Sequence, residues 1–206
     1  MYLFCHKCIL QNFKIANSYF FIKYLGLVGK SWAMIFASAG YKVTLYDILE
    51  SQVSAALTNI ASELVQFEKD GVIRGTISAA DQTKLISGSS NLSDCIKDCV
   101  YVQECVPENL ELKMKVWGQI DEFVDNENAI LASSSSCIVP SKISPEMKHK
   151  EQFIVAHPVN PPYHAPMVEL VPASVNTLDY LINVYTWSGL SSRQDYVIFE
   201  YVPVFF

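Results

Sequence analysis

A histidine, an asparagine and a carboxylate lie within thirteen residues of one another, at His157, Asn160 and Glu169. Prolines and apolar strand-forming residues surround them, in residues 156–162 and 167–171. A histidine beside a carboxylate is a suitable general base for an alcohol, because the carboxylate fixes the imidazole tautomer and stabilises the imidazolium that forms. We therefore predict that His157 and Glu169 form a catalytic base.

Strands and helices alternate along the chain, and these elements must position the pair. Runs of β-branched and aromatic residues predict strands at 20–22, 43–47, 100–106, 129–132 and 152–156. Apolar residues at helical spacing predict helices at 31–39, around Leu57, Ile60, Leu64 and Phe67, and at 110–123. In the last of these we expect Leu112, Val116, Ile120 and Phe123 to face inward. This alternation is typical of a mostly parallel sheet covered by helices on both faces.

The first strand, helix and second strand carry the signs of a dinucleotide site. Gly26 and Gly29 lie between the strand and the helix, where glycines let backbone N–H groups approach a pyrophosphate. Asp47 follows 18 residues after Gly29, at the end of the second strand, where an acid binds the adenosine ribose. A carboxylate there repels a 2′-phosphate, so we expect NAD rather than NADP. The alternative is that the two glycines only allow the helix to pack on the sheet.

Several separate motifs stand out along the chain, at residues 31–38, 46–48, 103–108, 133–137 and 157–162. In type and order they resemble those of the lambda-crystallin (L-gulonate 3-dehydrogenase) branch of the 3-hydroxyacyl-CoA dehydrogenase family. The resemblance runs from about Gly26 to Pro172 and implies a Rossmann-type, doubly wound α/β domain that binds NAD. It further implies oxidation of a 3-hydroxy group on a small acid, with hydride passing to the nicotinamide.

The resemblance also implies a role for each candidate residue. His157 corresponds to the general base and Glu169 to the carboxylate that orients it. Ser136 corresponds to the serine that contacts the substrate oxygen, Asn160 lies in the substrate-binding segment, and Glu108 to an acid near the nicotinamide. We interpret residues 133–135 as a polar turn.

The chain departs from the family pattern at both ends. Lys23 stands where an apolar strand residue is expected, and Tyr24 replaces the first glycine of the cofactor turn. We expect residues 1–18 to be a divergent extension, 19–172 the NAD-binding domain, and 173–206 a divergent apolar tail in place of the helical second domain of the family. Such a truncated isoform would lack the family's homodimer interface, and we expect weak or absent turnover from it.

Composition limits the remaining possibilities. Half of the 206 residues are apolar, which suits one domain with a core, and the net charge of -6 argues against a nucleic-acid partner. We expect no membrane span and a cytoplasmic location, with six cysteines present as free thiols. Cys5 and Cys8 have the spacing of half a zinc site, but no second pair matches, so we expect no metal.

Three functions remain open. The chain is an NAD-dependent dehydrogenase, a module that binds NAD without catalysis, or a structural protein of the crystallin kind. A sugar acid such as L-gulonate is the favoured substrate, and an acyl-CoA of fatty-acid metabolism is the alternative.

Overall fold

The strands that the structure describes form a single eight-stranded sheet. The computed structural model describes residues 19–23, 26–165, 167–177, 180, 184 and 197–199. The strands are β1 (Tyr19–Lys23), β2 (Lys42–Tyr46), β3 (Ile86–Ser89), β4 (Cys99–Glu104), β5 (Ile130–Ser133), β6 (Phe153–Pro158), β7 (Met167–Pro172) and β8 (Val197–Phe199). Their order across the sheet is β3-β2-β1-β4-β5-β6-β7-β8.

Strands β1 to β6 all run parallel to one another. Strand β7 pairs antiparallel with β6, and β8 pairs parallel with β7. The parallel strands follow the order 3-2-1-4-5-6 of a Rossmann sheet. The strand order changes direction between β1 and β4, while the strands themselves stay parallel. The predicted fold class is therefore confirmed.

Helices connect the parallel strands, because two parallel neighbours need a long crossover connection that is usually helical. They are α1 (Leu27–Ser38), α2 (Glu50–Lys69), α3 (Ala79–Lys84), α4 (Leu92–Ile96), α5 (Leu110–Asp121) and α6 (Pro140–Ile143), with a 3-10 helix at Lys150–Gln152. Gly40 has a φ of +89°, the left-handed conformation that commonly follows a helix end, and it stops α1. The Asn109 side chain accepts a hydrogen bond from the N–H of Leu112 at 2.9 Å and so caps the start of α5.

Two apolar clusters cover the two faces of the sheet. One joins α1, α2 and α3 to the sheet, and in it the ring of Trp32 stacks on Phe36 at 5.2 Å between centroids. The other joins α4, α5 and α6 to the opposite face, where Trp117 meets Phe153 edge to face at 4.7 Å. Burial on both faces explains why the central strands read as nearly continuous apolar runs.

The structure corrects two details of the predicted helices. Helix α1 begins at Leu27, four residues before the predicted start, because Gly26 already serves as its N-terminal cap. Leu112 in α5 and Phe123, two residues beyond its end, are 38% and 42% exposed, so the prediction that they face inward is wrong. Lys113 and Trp117 are the buried residues of α5 that were not predicted.

Some predictions concern residues outside the described part of the chain. They include those for the extension 1–18 with Cys5 and Cys8, and for Tyr24. Strand β8 lies within residues 173–206, and the domain boundary placed at residue 172 stays a prediction.

Candidate active site

The predicted site residues lie along one edge of the sheet. The parallel strands bring their carboxyl ends to this edge, which is where open α/β sheets bind ligands. Lys23 ends β1, Asp47 follows β2, and His157 lies near the end of β6. Glu108 and Ser136 lie in the loops that follow β4 and β5.

The turn between β1 and α1 fits a pyrophosphate. Gly26 caps α1 without a side-chain hydrogen bond, and Gly29 is buried in the first helical turn. The first backbone N–H groups of a helix have no intrahelical acceptors and carry partial positive charge, so they suit a phosphate oxygen. The structure thus places both glycines at the start of α1, and their contact with a dinucleotide stays a prediction.

Asp47 lies at the expected position for the adenosine ribose. Its Oδ1 accepts a hydrogen bond from the N–H of Leu49 at 3.1 Å, which fixes the carboxylate just beyond β2. A groove of about 370 Å³ opens beside it, between the ends of β1, β2 and β4 and helix α5. The groove adjoins the acid that follows β2, and binding of the adenosine half of the cofactor there stays a prediction.

Glu108 holds the loop that follows β5. Its Oε1 accepts hydrogen bonds from the hydroxyl of Ser135 at 2.6 Å and from the N–H groups of Ser136 and Cys137 at 3.0 Å each. Partial burial raises the pKa of Glu108, but the hydrogen bonds from Ser135 and Cys137 and the charge of Lys113 outweigh it and lower the pKa to about 2. The side chain is therefore a fixed anion that shapes the loop, and its contact with the cofactor stays a prediction.

The serine run is a buried anchor for Ser136, not the polar turn that we predicted. Ser133 and Ser135 are 0% and 1% exposed, and their hydroxyls donate to Glu104 and Glu108. Ser136 itself is exposed, and its backbone is held by Glu108. This arrangement leaves the Ser136 side chain accessible on a fixed backbone, as a substrate contact requires.

His157 and Glu169 face each other across two antiparallel strands. The register of β6 and β7 pairs the two residues directly, and His157 Nδ1 lies 3.3 Å from Glu169 Oε2. The side chains are 28% and 50% exposed, so a solute can reach the imidazole. An ionised carboxylate only accepts hydrogen bonds, and this contact therefore favours a proton on Nδ1 and a free lone pair on Nε2.

Asn160 lies in the connection between β6 and β7. It is exposed, three residues after His157, and its peptide bond to Pro161 is cis. The connection is fixed through Tyr163, whose hydroxyl accepts a hydrogen bond from the N–H of Arg74 at 2.9 Å and whose ring stacks on Phe67 at 4.6 Å. The predicted substrate contact of Asn160 stays a prediction, whereas sequence reasoning missed the anchor at Tyr163.

A buried ion pair joins Glu104, at the end of β4, to Lys113 in α5. It was not predicted from the sequence. Lys113 Nζ lies 3.0 and 3.3 Å from the two carboxylate oxygens of Glu104, and both side chains are at most 1% exposed. Glu104 also accepts hydrogen bonds from Trp117 Nε1 at 3.2 Å, the hydroxyl of Ser133 at 2.7 Å and the N–H of Val106 at 2.5 Å. A buried carboxylate needs such partners, and this need turns Lys113 and Trp117 toward the sheet.

No cluster of histidine, cysteine or acidic residues that could hold a metal ion occurs in the described part of the chain. Within the same residues, no helix has the length and apolar character needed to cross a membrane.

Comparison with known families identifies this domain. The NAD-binding domain of 3-hydroxyacyl-CoA dehydrogenase matches residues 25–187. The chain belongs to the 3-hydroxyacyl-CoA dehydrogenase family. The match confirms the predicted NAD cofactor and agrees with the glycine turn and Asp47.

Two curated relatives match most of this chain, but less than half of their own length is covered by it. The lambda-crystallin homolog of Mus musculus is 54% identical over 147 residues, which are 71% of this chain and 46% of that protein. L-Carnitine dehydrogenase from Pseudomonas sp is 32% identical over 146 residues, which are 71% of this chain and 44% of that protein. The chain spans less than half the length of these curated relatives.

Two solved structures share the fold of this chain. FadB2 of M. tuberculosis superposes with a TM-score of 0.80 at 24% identity, covering 89% of this chain and 64% of that one. The (S)-3-hydroxybutyryl-CoA dehydrogenase PaaH1 from Ralstonia eutropha superposes with a TM-score of 0.76 at 28% identity, covering 85% and 61%.

Proposed function

We propose that this chain oxidises a 3-hydroxy group of a small hydroxy acid, with NAD as the hydride acceptor and His157 as the general base. The observation that carries the proposal is the contact of 3.3 Å between His157 Nδ1 and Glu169 Oε2. The pair lies at the same edge of the sheet as the turn that fits the pyrophosphate. In this proposal the base and the cofactor site both lie at the carboxyl ends of strands of one sheet.

The residues divide the chemistry between them. When bound, NAD supplies the hydride acceptor. His157 Nε2 takes the proton of the substrate hydroxyl, because Nδ1 is held by Glu169, and the carboxylate stabilises the resulting imidazolium. In this proposal Ser136 contacts the same substrate oxygen, Asn160 contacts the rest of the substrate, and Glu108 contacts the nicotinamide end of the cofactor.

The relatives suggest which hydroxy acids to test. Identity to the lambda-crystallin homolog is higher than to L-carnitine dehydrogenase, at 54% against 32%. We therefore propose a sugar acid such as L-gulonate first, and L-carnitine and a 3-hydroxyacyl-CoA as further candidates. The four cysteines that the structure describes are free, which supports our proposal of a cytoplasmic location.

The test is NADH formation at 340 nm with each candidate acid, beside calorimetric binding of NAD. His157→Gln should lower kcat by about 10²- to 10⁴-fold, the usual contribution of a general base, and leave NAD affinity unchanged. His164→Gln is the matched control, since His164 is exposed in the same connection and touches Phe67 and Tyr163 only by ring edges.

Two results would contradict the proposal. If His157→Gln and His164→Gln had equal turnover, His157 would not be the base. If the wild-type chain bound NAD but formed no NADH with any candidate acid, the chain would be a module that binds NAD without catalysis.

A further inference from the structure

Lys23 is a buried cation that is not hydrogen-bonded to any described residue. Lys23 is the last residue of β1 and is only 5% exposed. Its Nζ has no hydrogen-bond acceptor among the described residues. The ammonium lies 5.2 Å from the ring centroid of Tyr46, its neighbour on β2. A buried ammonium ordinarily requires a partner, so this position calls for one.

The nearby carboxylates do not serve as hydrogen-bond partners for this ammonium. Glu104 is the register partner of Lys23 on β4, but both its oxygens are occupied by Lys113 and other donors. Asp47 attracts the ammonium through space, while its Oδ1 binds the N–H of Leu49. Burial lowers the pKa of Lys23, whereas Asp47 and Glu104 raise it, so a further anion would favour the charged form.

The side chain of Lys23 lines the groove that adjoins Asp47. Two lysines, Lys23 and Lys115, and one carboxylate, Asp47, are the charged residues of this lining. The rest of the lining is apolar except for Gln119. In an NAD-specific site the acid after β2 repels a 2′-phosphate, but here a buried cation lies in the same groove.

We propose that Lys23 determines cofactor choice at the adenosine end of the site: its ammonium offsets the repulsion between Asp47 and a 2′-phosphate, so the groove accepts NADP as well as NAD. The inference rests on the NAD-binding domain and is independent of the proposed role of His157. A unit charge that faces a phosphate in a partly buried site changes affinity by about tenfold or more.

The experiment is calorimetric titration of the full chain with NAD and with NADP. For the wild type we expect the Kd of NADP to lie within about tenfold of the Kd of NAD. Lys23→Met keeps the length of the side chain and removes its charge, and should weaken NADP by about tenfold while changing NAD by less than about threefold. Lys84→Met is the control for charge, because Lys84 pairs with Asp81 on the surface, away from the groove.

The outcomes separate this inference from the cofactor assignment. A Kd ratio that is unchanged in Lys23→Met, or a wild type that binds NAD but not NADP, overturns the role of Lys23 alone. Binding of neither dinucleotide would overturn the NAD assignment as well. If Lys23→Met does not fold, the wild-type ratio and Asp47→Asn still decide: an offset repulsion predicts that Asp47→Asn tightens NADP by less than about tenfold.

Discussion

The buried pair of Glu104 and Lys113 makes a quantitative prediction about stability. Lys113→Met removes the cation but leaves Glu104 with 0% exposure among donors that cannot neutralise it. Breaking a buried ion pair by removing one partner typically costs about 3–5 kcal/mol, because an uncompensated charge remains. Domains of this size are commonly stable by about 5–15 kcal/mol, so the variant should fold with little reserve.

Urea unfolding measures this cost directly. At a slope of about 2 kcal/mol per molar urea, a loss of about 3–5 kcal/mol moves the midpoint down by roughly 2 M. Trp117 reports on the site by its fluorescence, since its Nε1 lies 3.2 Å from Glu104 Oε2. Lys115→Met is the matched control: it removes the same charge from the same helix at an exposed position, and should shift the midpoint little.

A second variant tests the cause. Glu104→Gln keeps the shape of the side chain and removes its charge, so the double variant with Lys113→Met should be less destabilised than the sum of the two single changes. Equal midpoints for Lys113→Met and Lys115→Met, or strictly additive costs, would refute the argument from an unpaired buried charge.

Three further outcomes are expected. Because the pKa of Glu108 is lowered from 4.5 to about 2, its stabilising effect is complete above about pH 4.5 and is lost as pH falls toward 2; the difference in Tm between wild type and Glu108→Gln should shrink over that range. Gly75→Ala should destabilise more than Gly71→Ala in chemical denaturation, since both have positive φ but only at Gly75 would a Cβ lie 2.4 Å from the carbonyl oxygen of Ser38. Iodoacetamide followed by peptide mass spectrometry should label Cys137 in the native chain and spare the three thiols whose burial raises their pKa to about 11 or 12, namely Cys95, Cys99 and Cys105.

The sheet could be predicted from the sequence because apolar residues recur at different spacings in strands and in helices. Parallel strands covered on both faces read as apolar runs, and the long helix α2 shows Ile60 and Leu64 buried at the predicted spacing. The pairing of His157 with Glu169 could also be expected, since a short connection between two strands commonly makes them antiparallel neighbours.

The inward face of α5 could not be predicted from its apolar residues. Lys113 is buried because Glu104 is, and a pattern that assigns every charge to solvent misses both. A carboxylate inside an apolar strand run, with a lysine and Trp117 at i and i+4 on the next helix, was the available signal. The conformation of Lys23 likewise depends on neighbours in two other strands, β2 and β4, which no local pattern contains.

The antiparallel pairing of β6 and β7 has a consequence for engineering. His157 and Glu169 are paired by the register of two antiparallel strands, so their contact depends on that register and not on the identity of the exposed residues in the connection. A designer could replace the residues around Asn160 to suit a different hydroxy acid, provided that Tyr163 keeps its contact with Arg74. In the proposed mechanism the base would remain in the sheet, while residues of the connection could be replaced at the same length.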